Sequence, residues 1–154
     1  MTVIVAGKGW LAADRCITGD DGETSSLIKV AKNPWLIAAA SGNAVSTLDV
    51  KRAVRRGASL VEDLIEHVDK DSTALVMTPD GRVFKVEAQR VWSEPSGLSA
   101  IGSGGDLALG WLAAMQVDGG PHEDQNEVIR RALRFVARRR SDCGRGIDIR
   151  RFGP

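Results

Sequence analysis

Met1-Thr2-Val3-Ile4-Val5-Ala6 opens the chain, and Trp10-Leu11-Ala12-Ala13-Asp14 follows it across the Gly7-Lys8-Gly9 turn. Both runs are apolar and short, and a glycine turn separates them. They read as two strands, Val3 to Ala6 and Trp10 to Asp14, joined in a hairpin. Thr2 stands at the head of the first strand. Removal of Met1 would put a hydroxyl and a free α-amino group on this one residue. An α-amino group has a pKa of roughly 7.7–8.0, so it can serve as a base near neutral pH. A main-chain amine of this kind is one way to activate a weak threonine nucleophile. Threonine is also an ordinary strand residue, so Thr2 draws its interest from the residues that accompany it.

Outward from the hairpin, residues 18–26 form a polar stretch expected to be a loop. Leu27 to Ala31 and Trp35 to Ala40 read as strands around an Asn33-Pro34 turn, the second apolar throughout and therefore covered on both faces. Two helices are predicted next, over 43–56 and 59–69, with Gly57 between them. Leu60, Val61, Leu64, Ile65 and Val68 share the inward face of the second at helical spacing. Strands return at Thr73 to Met77 and Val83 to Glu87 around Pro79-Asp80-Gly81, and at Leu98 to Ile101. Gly102-Ser103-Gly104-Gly105 opens a helix over 105–116 that is apolar almost all round and is expected to be buried. A loop over 117–122 leads to an amphipathic helix over 124–139, with Val128, Ile129, Leu133 and Val136 inward. Ile147 to Phe152 is the last strand. This order of strands, helices, strands, helices and strand predicts an α+β fold with two sheets and helices outside.

The 154 residues fit one domain, 1–154, able to bury a real core. A net charge of +1 gives no global case for a nucleic-acid or membrane partner. The two cysteines, Cys16 and Cys143, form neither a disulfide framework nor a metal cluster, so no metal and no cofactor is expected. Residues 1–7 lack a basic flank and a long apolar core, so no signal peptide is expected, and no run is long enough to span a bilayer. A cytoplasmic location is the default. His67 and His122 have no partner cluster and read as surface residues. Arg130, Arg131, Arg134, Arg138, Arg139 and Arg140 read as a solvated helix face.

A threonine nucleophile with its own amine as base needs a fixed cation nearby, a carboxylate to hold that cation, and N–H donors for the developing oxyanion. Asp14 ends the strand that pairs with the Thr2 strand. Lys29 is a lone lysine among apolar residues, which is unusual for a strand. Gly42 follows the Trp35–Ala40 strand, where a strand-to-helix turn can expose N–H groups. Ser103 lies at a helix start. The glycines around it lack the spacing of a phosphate-binding loop.

Four passages taken together, Thr2-Val3-Ile4-Val5, Ala12-Ala13-Asp14, Lys29-Val30 with the strand ending Ala39-Ala40-Ser41-Gly42, and Ala100-Ile101-Gly102-Ser103-Gly104-Gly105, occur in the order and at the spacing of a known family. The chain resembles proteasome β-type peptidases of the N-terminal-nucleophile hydrolase superfamily, nearest in size to the bacterial HslV-type subunit. The resemblance implies a four-layer αββα sandwich. It implies Thr2 as nucleophile, Lys29 as the cation beside it, Asp14 as the carboxylate holding Lys29, the Gly42 N–H at the oxyanion, and Ser103 hydrogen-bonding near the amine. Ala40 would line the pocket for the substrate side chain, with small residues making it roomy or apolar. The family assembles into hexamer- or heptamer-class rings and works with a ring-shaped ATPase on unfolded protein or peptide.

Two departures stand out. Where the family places an acid, two further residues and Ser-Gly, this chain has Arg140-Ser141-Asp142-Cys143-Gly144. Arg140 takes the place of the acid, Cys143 that of the serine, and Asp142 is the substitute acid nearest at hand. Position 43, often glycine in the family, is Asn43. If Met1 stays attached, the Thr2 nitrogen is an amide and no base. Three readings follow: a threonine peptidase in a ring, a silent subunit with an assembly role, and a small-molecule amidase on the same fold.

Overall fold

Alternate side chains of the opening hairpin go to different cores. Val3, Val5, Trp10 and Ala12 enter one cluster, and Ile4, Ala6, Leu11 and Ala13 enter another. A strand whose two faces are both covered must be apolar at every position, which is why the period-two signal is missing from these runs. The computed structural model describes residues 2–18, 21–115 and 125–153. The expected 117–122 loop, His122 and Met1 lie outside the described residues.

Strands β1 (Ile4–Gly7) and β2 (Trp10–Asp14) pair antiparallel and are flanked by β10 (Ser99–Ile101) and β11 (Ile147–Arg151) in a sheet of order β10-β1-β2-β11. A five-stranded sheet runs β5 (Ala31–Lys32), β6 (Ile37–Ser41), β7 (Thr73–Met77), β8 (Val83–Glu87) and β9 (Arg90–Ser93). Between the sheets Ile4, Leu11 and Ala13 meet Ile37, Ala39, Leu75 and Met77. Helices α2 (Gly105–Ala114) and α3 (Gln125–Arg139) cover the outer face of the first sheet through Ala108, Leu112, Ile129, Leu133 and Val136. Helix α1 (Ala44–Arg55) and a 3₁₀ segment cover the second through Val50, Val54, Val61 and Leu64. Three apolar interfaces between four layers make the expected αββα sandwich.

Several local expectations are corrected. The 59–69 segment is not an α-helix but a 3₁₀ run over Val61–His67. Asp63 Oδ2 accepts from Ser59 N and Leu60 N at 3.0 and 2.9 Å and sets its tight start. The three-residue period turns Val61 and Leu64 inward and leaves Leu60 60% exposed. The 105–116 helix is not buried all round. Gly105, Ala108 and Leu112 face the core, whereas Leu107 and Met115 are exposed. The 18–26 stretch is not wholly loop, because β3 (Cys16–Thr18) and β4 (Thr24–Ser26) pair as a ribbon. Strand β9 was not expected: Ala88 and Gln89 make its turn at φ 49° and 61°, without the glycine or asparagine that usually marks such a turn.

Candidate active site

Asp14 sits where β2 ends, opposite Ile147 of β11, with its own N–H donating to the Val3 carbonyl at 3.1 Å. Arg15 N–H donates to the carbonyls of Gly144 and Gly146, each at 3.0 Å. These bonds pull the 144–146 turn against the strand end. There Gly144 N–H donates to Asp14 Oδ2 at 2.8 Å, while Val3 N–H donates to Oδ1 at 3.1 Å. The carboxylate is thus aimed by two backbone donors, and Oδ1 is left to meet two side chains. Lys29 Nζ donates to it at 2.7 Å, and the Thr2 hydroxyl donates to the same oxygen. Lys29 Nζ also donates to Thr2 Oγ1, which closes a three-residue ring. Thr2, Asp14 and Lys29 are only 3%, 1% and 2% exposed.

Lys29 does not lie in a strand as the sequence suggested. Residues 27–30 run between β4 and β5 without a ladder partner. Leu27 N–H donating to the Arg15 carbonyl at 2.7 Å and Lys51 Nζ donating to the Ile28 carbonyl at 2.6 Å hold the segment on either side of the lysine. Burial pushes the Lys29 ammonium below its ordinary pKa, and the neighbouring Asp14 opposes that shift. A buried lysine whose pKa is perturbed beside a hydroxyl and a carboxylate is the kind of group that functional sites gather.

The Gly102–Gly105 stretch meets the main chain of Thr2. A Cβ on Gly102, at φ +89°, would lie 2.8 Å from the Thr2 carbonyl carbon. Gly104 N–H donates to the Thr2 carbonyl oxygen at 3.3 Å. These glycines therefore seat the start of β1. The described partner of the Ser103 hydroxyl is Asp142 Oδ2, to which it donates at 3.1 Å, with Cys143 Sγ at 3.8 Å. Burial raises the Asp142 pKa, but hydrogen bonds from Ser103 and its own backbone, together with the charge of Arg140, hold it below the usual carboxylate range. Arg140 Nε pairs with Asp142 Oδ1 at 3.5 Å, so the arginine at position 140 lies against the carboxylate two residues later. Burial pushes the Cys143 thiol up to about 11.

On the other side of Thr2, an open cleft with a cavity of about 30 Å³ is lined by Thr2, Lys29, Ala40, Gly42, Cys16 and Thr47, among others. Gly42 has φ +125° and lies against Ser72, whose Cα would be 2.6 Å from a Cβ at that position. Its N–H has no hydrogen-bond partner among the described residues. Asn43 caps α1, its side-chain oxygen accepting from Ser46 N at 2.8 Å. Thr47 and Cys16 went unnoticed in the sequence as cleft residues. Thr47 had one available signal, since it stands one helical turn after the Asn43 cap on the face that returns to β6, where its hydroxyl donates to the Ala40 carbonyl at 3.2 Å. Cys16 had none beyond its place two residues after Asp14. His67 is half-buried beside Glu66, and most of the late-helix arginines are exposed.

This arrangement defines a fold class, the α+β four-layer sandwich shared with HslV. Comparison with solved structures gives its particular relatives. HslV from Trypanosoma brucei superposes with a TM-score of 0.71 at 17% identity, over 97% of this chain and 98% of that one. The Gly-1 mutant of Anbu from Hyphomicrobium sp. strain MC1 gives 0.77 at 14% identity, over 99% and 81%. Thiobacillus denitrificans BPH, in complex with epoxomicin, gives 0.67 at 20% identity over 100% of both chains. No family model and no curated protein sequence matches. At these identities the likeness establishes the fold, and the chemistry rests on the residues themselves.

Proposed function

We propose that the chain is an N-terminal threonine peptidase with Thr2 as nucleophile. The observation that carries this reading is the contact of one buried hydroxyl, Thr2 Oγ1, with both Lys29 Nζ and Asp14 Oδ1, at the wall of a cleft that also contains Gly42. Removal of Met1 turns the Thr2 nitrogen into an α-amine. That amine takes the hydroxyl proton as Oγ1 attacks the substrate carbonyl carbon. Lys29 lowers the cost of negative charge on Oγ1, and Asp14 holds Lys29 in place. The oxyanion accepts from Gly42 N–H. Collapse of the tetrahedral species breaks the C–N bond, and the amine returns its proton to the leaving nitrogen. Water, deprotonated by the same amine, then hydrolyses the ester on Thr2. Ser103 and Asp142 support the seat of Thr2 from behind.

The fold shared with HslV supports self-association into rings, unfolded protein or peptide as substrate, and an ATPase ring as partner. Among the described residues no helix is long and apolar enough to cross a membrane. The neutral cleft walls of Ala40, Ala44 and Thr47 suit an uncharged side chain next to the cleaved bond.

Intact mass spectrometry paired with hydrolysis of fluorogenic peptides tests the proposal. A species lighter by one methionine should carry the activity, and Thr2→Ala should lower turnover by at least about a thousandfold, as expected for loss of a nucleophile. Undiminished turnover in Thr2→Ala would sink the mechanism. Complete retention of Met1 in an inactive protein would leave the silent assembly subunit as the correct reading.

A further inference from the structure

The Gly42 turn is held from outside the cleft by residues that no part of the chemistry above uses. Between the 3₁₀ segment and β7, residues 69–72 lie directly against it. Ser72 is buried, and its Oγ accepts from Asn43 N–H at 3.2 Å. Asp69 accepts from the Asn43 side-chain amide through Oδ2 and from Asp71 N–H through Oδ1 at 3.0 Å. Asp69 N–H donates to Ser46 Oγ at 3.1 Å, which ties the turn to the first turn of α1. Ser72 N–H also donates to the Asp69 main-chain carbonyl at 3.2 Å, which closes the 69–72 segment on itself. Asn43 is thus held twice, its N–H by Ser72 and its side-chain amide by Asp69.

This double hold decides which donor the turn can offer. Two successive N–H groups, those of Gly42 and Asn43, leave the turn. The second is spent on Ser72 and the first has no described partner. A Cβ at Gly42 would stand 2.6 Å from Ser72 Cα and 2.7 Å from the Asp71 carbonyl oxygen, so the same segment also fixes the turn sterically.

We propose that Ser72 and Asp69 are positioning residues for the oxyanion donor, clamping the Gly42–Asn43 turn so that Gly42 N–H alone is presented to the cleft. The proposal rests on the peptidase reading of the site. Without the clamp, Gly42 and Asn43 sample other orientations and the donor is misaligned, while substrate side-chain contacts at Ala40 and Thr47 stay in place. The defect therefore falls on kcat and spares KM.

The test compares Ser72→Ala and Asp69→Ala with the wild-type chain in two measurements. Hydrogen exchange over the 41–45 segment should quicken by about tenfold in Ser72→Ala, because the Asn43 amide loses its acceptor. Peptide hydrolysis should show kcat down by roughly tenfold with KM changed less than about twofold, a smaller loss than removing an oxyanion donor outright. Unchanged exchange overturns the clamp. Faster exchange with unchanged kcat overturns the positioning role, as does a parallel fall of kcat, 1/KM and melting temperature. Asp69 is exposed, so Asp69→Ala carries the same readouts if Ser72→Ala fails to fold. Thr2→Ala, run alongside, separates the two levels. Full activity there defeats the peptidase reading, whereas an inactive Thr2→Ala with a fully active Ser72→Ala defeats the clamp alone.

Discussion

The two sides of the cleft are held by different physics. On the Thr2 side, a buried carboxylate, ammonium and hydroxyl hydrogen-bond to one another at the end of a covered sheet, and each is there because the other two are. On the Gly42 side, backbone geometry is fixed by hydrogen bonds to a buried hydroxyl and an exposed carboxylate. Breaking the first leaves an uncompensated buried charge. Breaking the second leaves groups that water can reach. Stability and activity are therefore expected to be coupled on the Thr2 side and separable on the Gly42 side.

The largest effect should follow from breaking the ion pair. Lys29→Met leaves Asp14 charged, buried and without its cation, a change that typically costs roughly 3–5 kcal/mol. In a chain of this size that lowers the melting temperature by about 10 °C, and peptide hydrolysis should be lost with it. Adding Asp14→Asn removes the stranded charge, so calorimetry on Lys29→Met/Asp14→Asn should show part of the stability returning while activity stays absent. A double variant less stable than Lys29→Met alone would show that Asp14 matters for its bonds to Val3 and Gly144 and not for Lys29.

Gly42→Ala should invert that pattern. The new methyl meets Ser72 Cα and the Asp71 carbonyl at a backbone φ of +125°, so the turn must move. Conformations of this kind cost a non-glycine residue of order 1–3 kcal/mol, and the displaced N–H no longer meets the oxyanion. Turnover should fall by roughly a hundredfold or more, with a modest loss in melting temperature. A variant that keeps more than half of wild-type kcat would remove Gly42 from the chemistry and weaken the contrast between the two sides.

Much of this was legible in the sequence because strand order and a few out-of-place residues carry it. Thr2, Asp14 and Lys29 stood out as polar groups in apolar runs, and the fold brings all three together. Ser103 was legible as the head of a helix, but its partner was not, because Asp142 lies 39 positions away and reaches it only through the packing of α3 on the sheet. The 144–146 turn that aims Asp14 was hidden for the same reason, since a long-range backbone bond has no side-chain signature. The 3₁₀ run at 61–67 shows that Val61 and Leu64, three apart, fit a three-residue period as readily as a helical one once Asp63 holds its start, while Leu60 is left outside. The turn into β9 was missed because Ala88 and Gln89 adopt positive φ against their own preference.

The smallest effect concerns alkaline pH, where the ionisable groups near Thr2 act in opposite directions. Burial lowers the Lys29 pKa below 10.5, so between the lowered value and 10.5 the unfolded chain binds the proton that the folded chain has released. Stability then rises with pH across that window. Burial raises the Cys143 thiol from 9.0 to about 11, so between these values the folded chain keeps a proton that the unfolded chain has lost, and stability falls with pH. Denaturant titrations between pH 8 and 11 should separate the two, with a steeper alkaline decline in Lys29→Met and a shallower one in Cys143→Ala. Thiol alkylation gives an independent check on the same group. At pH 8 a thiol of pKa about 11 is ionised to roughly one part in a thousand, and Cys143 is only 7% exposed. Cys143 should label far more slowly in the folded chain than in denaturant, with the rate climbing only as pH nears 11. Rapid labelling at pH 8 would mean that the 140–144 turn opens to solvent, which would place part of the Thr2 side among the loosely held regions and erase the contrast with Gly42.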